Sequence, residues 1–578
     1  MNLGSATLLH CSNSFAWFHD SMTDMTTMTT AEYTSSALRV AYDAVKRKYN
    51  EAVEFLGKAQ AFMVAQVKRA APDDHEISAK KLRTGPVTSS NDLVNFWSAC
   101  RNELVDTREL VVAENNDENS KFNFFVMPNN VALLGSEEEY GTSLLIRPSY
   151  PGLFNDWLAA TGKLRKDGLI GTPGVGKSFF LLYALCRLGM ERYEHPIVFQ
   201  NIDGMRLFFH GDKVQEGDGS DFKEYLRDPR CIYLVDGAAN SLPINVGRAR
   251  TFLVSSPNKQ VYGAFKKTTQ HSPMIAPICT LYELLAIRAI NPDISDVLNV
   301  NDVERAFNVT GGSARAMAYW AIDSNNTPES QVNVGLGMCN LAACRHAAEH
   351  AIASEETVKH SLFHINPLPA KPRQYELRPA SPYVRRMLSD AFVRQSEHEL
   401  VNFLASSESL PAFPTLRGIL FEGYAIKKLI AGGEFRCCEL MIDGSRGEEE
   451  TVAVPAAREE LFQHLGGVRE ISNNIHHRPL YGTLEAIDSF ISGEWLFQVT
   501  TAKDHDVKIN GLSTVLKRLR ALNDQTAASD KARLFFVVPE NIYSEHYQRR
   551  QTLIQRGTVA KVPGEMDKVK QYVLCLKY

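Results

Sequence analysis

The sequence lacks several features that would assign it quickly to a class of protein. Its ten cysteines form no C-x-x-C pair and no regular framework, which argues against a disulfide scaffold and favours a reducing intracellular environment. No apolar run approaches the roughly 18 residues of a membrane-spanning helix, so no membrane partner is expected. The formal net charge of −4 shows no excess of either sign, although a local basic groove is compatible with that average.

The clearest motif is the segment Gly171–Ser178, which fits the phosphate-binding pattern G-x-x-x-x-G-K-S. The segment 167–170 before it is predicted to end a buried strand, and 179–185 after it to open a helix. In such a P-loop the backbone amides and the helix N-terminus hold phosphates. The predicted nucleotide-binding residues are Gly171, Gly174, Val175, Gly176, Lys177 and Ser178, with Lys177 on the outer phosphates and Ser178 on Mg²⁺. The alternative is a glycine-rich turn with a surface lysine.

Apolar segments typical of strands alternate with helical ones around this motif. The strand candidates are Ser143–Pro151, Ile197–Ile202, Met205–Phe209, Cys231–Gly237 and Thr251–Ser256, and a helix is predicted from Leu153 to Ala160. The alternation predicts an α/β fold, a three-layer parallel sheet of the P-loop NTPase type with a helical lid. Ligands of such sheets bind at the carboxyl ends of the strands.

Asp236 ends one of these apolar strands and is predicted to be the second carboxylate motif, which binds Mg²⁺. The interval from the glycine segment leaves room for one added strand between the two motif strands. ATPases of that kind usually carry a glutamate after the aspartate to orient the attacking water, and Gly237 stands there. Binding of ATP or another NTP is therefore a safer prediction than hydrolysis.

Arg315 follows the pair Gly311-Gly312 at a predicted helix start, where sensor arginines contact nucleotide from a helical lid. The alternative is a surface arginine that caps its own helix. Ser255, Ser256 and Asn258 are candidates to sense the γ-phosphate, and Arg248 and Arg250 are weaker candidates for an arginine finger.

The length of 578 residues predicts several units. The segment 1–36 lacks a charged start followed by an apolar run, so we predict a disordered leader and leave unconventional export open. Ala37 to Ala70 has apolar residues at helical spacing. Helices are predicted to continue through Ser330–Glu408, with a boundary at the prolines of Leu368–Arg373. The predicted units are 1–36, a mostly helical region 37–140, an NTPase core 141–285, a helical lid and linker 286–408, and an α+β domain 409–578.

Several segments together resemble the Crinkler and retrotransposon-hot-spot superfamily. They are Ile146–Pro151, the glycine segment, Leu234–Gly237, Phe252–Pro257 and Phe497–Thr500. The resemblance covers residues 143 to the C-terminus. It implies a P-loop NTPase coupled to a restriction-endonuclease-like module, in the nucleus of its own cell or of a host that receives an effector.

A module of that kind needs carboxylates on Mg²⁺ and a lysine near the attacking water. The resemblance places Asp488 as the first strand carboxylate and metal ligand, and Glu422 as the helix glutamate. At the usual Glu-x-Lys stands Gln498-Val499-Thr500, a poorer metal site. Lys503 and His505 are candidates to replace the lysine, His505 as a base. The alternative is that these carboxylates lie on an inert fold.

Two functions follow. The first is an ATPase whose nuclease-like module acts on nucleic acid, with DNA favoured over RNA and nuclear proteins as further partners. The second is a nucleotide-gated effector or adaptor with a degenerate nuclease-like platform. Both require ATP or another NTP with Mg²⁺, and both leave oligomerisation open.

Overall fold

The computed structural model describes much of the chain from residue 87 to 578. Undescribed are residues 1–86, 89, 114–117, 129–130, 137–139, 161–165, 219–220, 238–247, 258–260, 262–264, 266–268, 270–271, 338, 340–359, 370, 396, 407–413, 482–483, 493, 523–531, 556–557 and 560–568. The predicted leader 1–36 and the amphipathic helix Ala37–Ala70 lie outside the described residues. All described residues belong to one unit, Gly85–Tyr578.

Strands occur along the whole described chain. The first group is β1 (Val87–Thr88), β2 (Asp106–Val111), β3 (Lys121–Val126), β4 (Ser143–Ile146), β5 (Lys166–Ile170), β6 (Ile197–Gln200), β7 (Arg206–His210), β8 (Lys213–Gly217), β9 (Ile232–Gly237), β10 (Arg250–Ser255) and β11 (Met274–Ile275). The second group is β12 (Phe363–Leu368), β13 (Lys371–Pro379), β14 (Gly433–Leu440), β15 (Arg446–Val454), β16 (Arg458–Phe462), β17 (Ile475–Pro479), β18 (Ser489–Ile491), β19 (Trp495–Val499), β20 (Val507–Lys508), β21 (Arg533–Pro539), β22 (Leu553–Gln555), β23 (Thr558–Val559) and β24 (Lys570–Leu576).

Helices connect these strands and also cluster between the two groups. They are α1 (Asn91–Arg101), α2 (Ser149–Ala159), α3 (Lys177–Met190), α4 (Leu281–Ile290), α5 (Pro292–Ser295), α6 (Val300–Thr310), α7 (Ala314–Ile322), α8 (Pro328–Gly337), α9 (Pro382–Gln395), α10 (Glu397–Ser406), α11 (Pro414–Ala431), α12 (Ile509–Leu522) and α13 (Glu540–Glu545). None of the helices in the described ranges is long and apolar enough to cross a bilayer.

The first large sheet has the order β1-β8-β7-β6-β9-β10-β5-β11. The run β6-β9-β10-β5-β11 is parallel, and β10 lies between β5 and β9. The prediction of an α/β fold is confirmed in this mixed form. The prediction of a wholly parallel sheet is wrong at one edge, where β7 and β8 are antiparallel. Short turns join these strands, and a tight turn can connect only antiparallel neighbours.

Helix α3 begins directly after the glycine segment and is the central helix of the first sheet's main core. Its run Phe180–Leu185 is buried without interruption, because the helix packs among β4, β9, β10 and the helices α1 and α2. The core around it combines aromatic and aliphatic side chains from both the sheet and the preceding 91–157 region. Close packing of this kind fixes where the helix begins.

Two expectations upstream of the glycine segment need correction. The strand predicted to run from Ser143 to Pro151 ends at Ile146, and α2 starts at Ser149 rather than at Leu153. Proline is accepted in the first turn of a helix, which explains the earlier start. Strand β4 joins the separate antiparallel sheet β2-β3-β4.

The region predicted to be helical through Ser330–Glu408 contains a β-hairpin. Strands β12 and β13 pair antiparallel, with a register shift at Pro367/Leu368. The segment Leu368–Arg373 was predicted to mark a boundary. Its prolines lie at the turn of the hairpin and on its strands, each of which pairs with only one other strand. Proline is tolerated there because no ladder donor is lost. The domain limits themselves stay predictions.

The second large sheet has the order β15-β14-β24-β21-β19-β18-β17-β16. Strands β17, β18 and β19 are antiparallel, and β19, β21 and β24 are parallel. Helix α12 connects β19 to β21, as a parallel crossover requires. One core packs α9, α10 and α11 on one side, and a second core packs α12 and α13 on the other.

Candidate functional site

The segment Gly171–Ser178, here named the glycine loop, joins the carboxyl end of β5 to the N-terminus of α3. Gly174 and Gly176 have φ of +80° and +87°, a left-handed conformation that glycine adopts without strain. Lys177 is buried, and its ammonium donates to the carbonyls of Gly171 at 2.9 Å and Thr172 at 2.8 Å. The lysine side chain is thus folded back onto its own loop.

Both left-handed glycines also need to lack a side chain. A Cβ at Gly174 would lie 2.4 Å from Cβ of Arg315, and a Cβ at Gly176 would lie 2.8 Å from the hydroxyl of Tyr150. The close approach of these two neighbours is therefore possible only because the loop positions are glycine.

Lys177, Asp236 and Arg315 interact electrostatically, although they are far apart in the sequence. Burial lowers the pKa of Lys177 to about 7, Arg315 acts in the same direction, and Asp236 opposes them. The charges of Lys177 and Arg315 therefore repel each other beside the glycine loop. Such an arrangement favours the arrival of an anion.

Asp236 is the penultimate residue of β9 and is half-buried beside the parallel strand β10. The next residue, Gly237, has no space for a side chain. A Cβ there would lie 2.7 Å from Cδ1 of Leu253 and 2.8 Å from Cγ1 of Val261. A glutamate could not replace this glycine without displacing the core behind the sheet.

Arg315 lies in the first turn of α7, which is capped by Ser313. Its backbone amide donates to the carbonyl of Gly174 at 3.3 Å. The preceding Gly312 packs so tightly on Cys279 that a Cβ would lie 2.0 Å from the Cys279 carbonyl oxygen. This close packing fixes the start of α7 against the glycine loop, so the predicted sensor arginine is adjacent to that loop.

A cavity of about 180 Å³ adjoins the loop next to this arginine. Pro173, Ser313, Arg315, Tyr319 and His360 are among its described lining residues. His360 carries no motif in the sequence and was not predicted to belong to the site.

Arg147 and Tyr150 contact the loop from its buried side. The Arg147 guanidinium donates to the Val175 carbonyl at 2.7 Å and is paired with Glu283 at 2.8 Å. The Tyr150 hydroxyl donates to the Gly176 carbonyl at 2.6 Å. Both residues belong to a segment noted only for family resemblance, and nothing in the sequence linked them to Glu283.

Two of the secondary candidates near this site, Arg250 and Ser255, have structural partners. Arg250 donates to the carbonyls of Trp157 and Ala160 at 2.8 Å each, so it anchors the end of α2. The Ser255 hydroxyl donates to the Ser256 carbonyl at 2.6 Å. Arg248 is exposed, and Asn258 lies outside the described residues.

A second group of predicted residues meets in the second large sheet. Asp488 precedes β18, and its carboxylate accepts from the Gln498 amide at 2.8 Å and from the Val499 backbone amide at 2.7 Å. Burial raises the pKa of Asp488 to about 7, and the charge of Glu422 adds to this shift. The structure therefore brings Asp488, Gln498 and Glu422 together.

Arginines neutralise this carboxylate group. Arg385 on α9 is 2.6 Å from Glu422, and Arg478 on β17 is 3.7 Å from it. Arg478 is only 4% exposed and also lies 3.4 Å from Asp390 and 3.5 Å from Glu459. A buried arginine among carboxylates is stabilised by ion pairing. These arginines were not predicted, because helices and strands distant in sequence bring them to the site.

The two residues proposed to replace the nuclease lysine are placed differently from each other. Lys503 is exposed, and no contact with Asp488 or Glu422 is seen within the described ranges. The His505 backbone amide donates to Gln551 at 2.8 Å, and burial lowers the pKa of its ring. Neither side chain is held against Asp488.

Within each of the adjacent pairs Cys437-Cys438 and His476-His477, the two side chains point to opposite faces of the second sheet. Cys437 and Cys438 enter different cores, and His476 and His477 stack on Phe497 and Phe490 respectively. Among the described residues no group of three potential metal-ligating side chains occurs.

Comparison with known proteins identifies relatives. The chain is similar to Crinkler effector proteins. Crinkler effector protein 16 of Phytophthora infestans is 26% identical over 434 residues, which cover 73% of this chain and 66% of that protein. Crinkler effector protein 15 of the same organism is 27% identical over 441 residues, covering 73% and 67%. No protein-family model matches the chain. The Crinkler resemblance is thus confirmed as homology over most of the chain. The matched region spans slightly less than two thirds of the length of protein 16.

Proposed function

We propose that the chain is a nucleotide-gated effector, in which the glycine loop binds ATP or another NTP with Mg²⁺. The observation that carries the proposal is the placement of Lys177 and Arg315 against the left-handed glycine loop, with Asp236 near enough to act on the charge of Lys177. The residues fit the ligand: amides and Lys177 would hold phosphates, and Ser178 and Asp236 would hold Mg²⁺. Bound Mg²⁺ would neutralise phosphate charge.

The strand order supports a P-loop NTPase core. The parallel run β6-β9-β10-β5-β11 places one strand between the strand of the glycine loop and the strand of Asp236. The loop and the end of β9 therefore lie at the same edge of the sheet, where α/β proteins bind ligands.

Binding is favoured over turnover in this proposal. Gly237 occupies the place of the glutamate that orients water, and Leu253 and Val261 leave no room for a larger side chain. A nucleotide that is bound and hydrolysed slowly suits a switch, whose state changes with occupancy rather than with repeated cycles.

The C-terminal module is proposed as a nuclease-like platform rather than an active nuclease. Its residues do not fit a catalytic Mg²⁺: Arg385 lies 2.6 Å from Glu422, and the Gln498 amide donates to Asp488 at 2.8 Å. The platform would bind DNA, RNA or a nuclear protein. The relatives' names contain the word effector, which supports delivery to a host cell. Action in the nucleus of that cell is a further part of the proposal.

A Mg²⁺-dependent nuclease coupled to an ATPase is the second candidate. It is favoured by the proximity of Asp488, just before β18, to Glu422 on α11. The parallel strands β19 and β21 of the same sheet are connected through helix α12. Activity would require Arg385 to leave Glu422 when substrate arrives.

Nucleotide binding can be tested with a fluorescent ATP analogue and Mg²⁺. Lys177→Ala is expected to weaken binding about 100-fold, since it removes a charge-assisted contact from a buried site. Lys223→Ala, at an exposed lysine of the same unit, is the matched control and should bind as wild type does. Equal binding by both variants, or none by wild type, would refute the proposal.

The two candidates for the C-terminal module differ in metal binding and cleavage. Wild type should neither bind Mn²⁺ through Asp488 nor cut plasmid DNA or RNA. The double variant Arg385→Ala/Gln498→Glu should gain Mn²⁺ binding, because it removes the competing cation and restores a carboxylate. Cleavage by wild type that is lost in Asp488→Asn would instead establish the nuclease.

A further inference from the structure

Three consecutive carbonyl oxygens of the glycine loop each accept a hydrogen bond from a donor outside the loop. The bonds run from Arg315 N to Gly174 O at 3.3 Å, from Arg147 Nη1 to Val175 O at 2.7 Å, and from the Tyr150 hydroxyl to Gly176 O at 2.6 Å. Arg147 and Tyr150 are both buried, so two of the three carbonyls point toward the protein interior.

Peptide geometry converts these bonds into an orientation of amides. In a planar trans peptide, the carbonyl of one residue and the N–H of the next residue point in opposite directions. Holding the carbonyls of Val175 and Gly176 toward the interior therefore directs the amides of Gly176 and Lys177 away from it. Successive amides that point outward form a concavity that binds anions.

We propose that Arg147 and Tyr150 are positioning residues that pre-form this amide cradle for the phosphates of a nucleoside triphosphate. The proposal rests on the proposed function and adds residues that do not themselves touch the nucleotide. Preorganisation increases affinity because the loop does not have to be ordered when the ligand arrives.

The guanidinium of Arg147 is suited to this role. It donates to Val175 and also to the carbonyls of Pro277 at 3.2 Å and Ile278 at 3.1 Å. Both carboxylate oxygens of Glu283 accept from it, at 2.8 and 3.2 Å. A lysine lacks the five-donor fork that makes these simultaneous contacts.

Glu283 is itself held by hydrogen bonds, so the carboxylate that pairs with Arg147 is anchored outside the loop. Its carboxylate accepts from the Thr280 backbone amide at 2.7 Å, and its own amide donates to the Thr280 hydroxyl at 3.2 Å. This capping box opens helix α4. The orientation of the loop is therefore tied to the start of that helix.

The Tyr150 hydroxyl is the second donor that holds the loop, and the Gly176 carbonyl that it contacts also accepts from the Phe180 backbone amide of α3 at 3.0 Å. Burial raises the pKa of the Tyr150 hydroxyl, which keeps the proton that is donated to Gly176. The variant Tyr150→Phe removes this donor and leaves the ring among Phe180 and Tyr183. We expect about three- to tenfold weaker binding of fluorescent ATP, the effect of one lost hydrogen bond.

The matched control is Tyr193→Phe. Tyr193 also donates to a backbone carbonyl at 2.6 Å, that of Arg230, but it does not touch the glycine loop. A second pair is Arg147→Lys with the control Arg187→Lys, whose guanidinium pairs with Glu191 on the surface of α3. Arg147→Lys should weaken binding about tenfold or more, and Arg187→Lys should not.

Hydrogen exchange of the nucleotide-free protein separates positioning from a general loss of stability. The peptide covering 171–178 should exchange about three- to tenfold faster in Tyr150→Phe than in Tyr193→Phe, while peptides of the second large sheet stay unchanged. If wild type binds no nucleotide, the proposed function is refuted, but the exchange measurement still tests whether Tyr150 orients the loop. Unchanged exchange of 171–178 in Tyr150→Phe, with wild-type affinity, would overturn the positioning role.

Discussion

The glycine loop and the carboxylate group of the second sheet handle charge in opposite ways. At the glycine loop, Lys177 and Arg315 are near each other, and burial lowers the pKa of Lys177 to about 7. At the second site, Glu422 is paired with Arg385 and Arg478. The first site therefore gains from an added anion, whereas the second already contains its cations. If the second site is nuclease-like as proposed, its carboxylates are in place but neighbouring arginines already pair with them.

The largest expected effect concerns the ion pair below the glycine loop. Glu283→Gln leaves the Arg147 charge without its carboxylate in a site where both side chains are at most 6% exposed. Breaking a buried pair in this way costs about 3–5 kcal/mol. Urea unfolding followed by fluorescence should show this loss in the transition that includes the first sheet.

Glu191→Gln is the control for that variant. Glu191 pairs with Arg187 on α3, and its side chain is 45% exposed, so the change should stay within about 0.5 kcal/mol. A loss at Glu283 as small as the loss at Glu191 would show that the two ion pairs do not differ as described.

A smaller effect is expected at Asp488 and depends on pH. Burial raises its folded-state pKa to about 7, above its unfolded value, so the folded state binds the extra proton. Its contribution to stability is complete below the unfolded pKa and is lost as the pH rises through about 7. Asp488→Asn should therefore flatten the decline in stability between pH 5 and 8, by roughly 1.4 kcal/mol for every tenfold difference in proton affinity between the folded and unfolded states.

The measurement is a series of urea midpoints for wild type and Asp488→Asn across that range. Asp228→Asn is the control. The hydrogen bond from Arg230 lowers the pKa of Asp228 to about 2, so this carboxyl does not titrate between pH 5 and 8. Parallel curves for wild type and Asp488→Asn would contradict the raised pKa of Asp488 and would show that its carboxyl titrates like an exposed one.

The smallest expected signal is a proton taken up at the glycine loop. With a pKa of about 7, Lys177 is largely neutral at pH 8, and bound phosphates would favour its charged form. Calorimetry of NTP binding at pH 8 in buffers of different ionisation enthalpy should show uptake approaching one proton. The uptake attributable to Lys177 should vanish at pH 6, where the amine is already protonated. No uptake at pH 8 would mean that Lys177 is charged before the ligand binds.

Much of the first sheet could be predicted because its strands are short buried runs. The segments around β6, β9 and β10 are apolar and lie between helical segments, so their type was clear from the sequence. The antiparallel β8 was not predicted, since Lys213–Gly217 has only one buried side chain. The hairpin β12–β13 was missed because its prolines are also typical of linkers.

The site was predictable where one short segment carries the chemistry. The glycine loop, Asp236 and Arg315 each have a local pattern, and the structure places them near one another. Arg147 has no such pattern, because its role depends on Glu283, a residue 136 positions away. Arg385 and Arg478 were likewise invisible, since their charges matter only after α9 and β17 pack near Glu422.

The hairpin β12–β13 has a practical consequence for dividing the chain. Its Ile365 amide donates to the Thr172 hydroxyl of the glycine loop at 3.0 Å, and Arg373 pairs with Asp167 on β5 at 2.6 Å. Ile365 also covers Ile170 and Ile275. A fragment ended before residue 360 would leave apolar surface uncovered and would remove these partners of Thr172 and Asp167, so it should be prone to aggregation. The proposed nucleotide-binding part of this protein therefore cannot be separated from the hairpin β12–β13 by a single cut in the sequence.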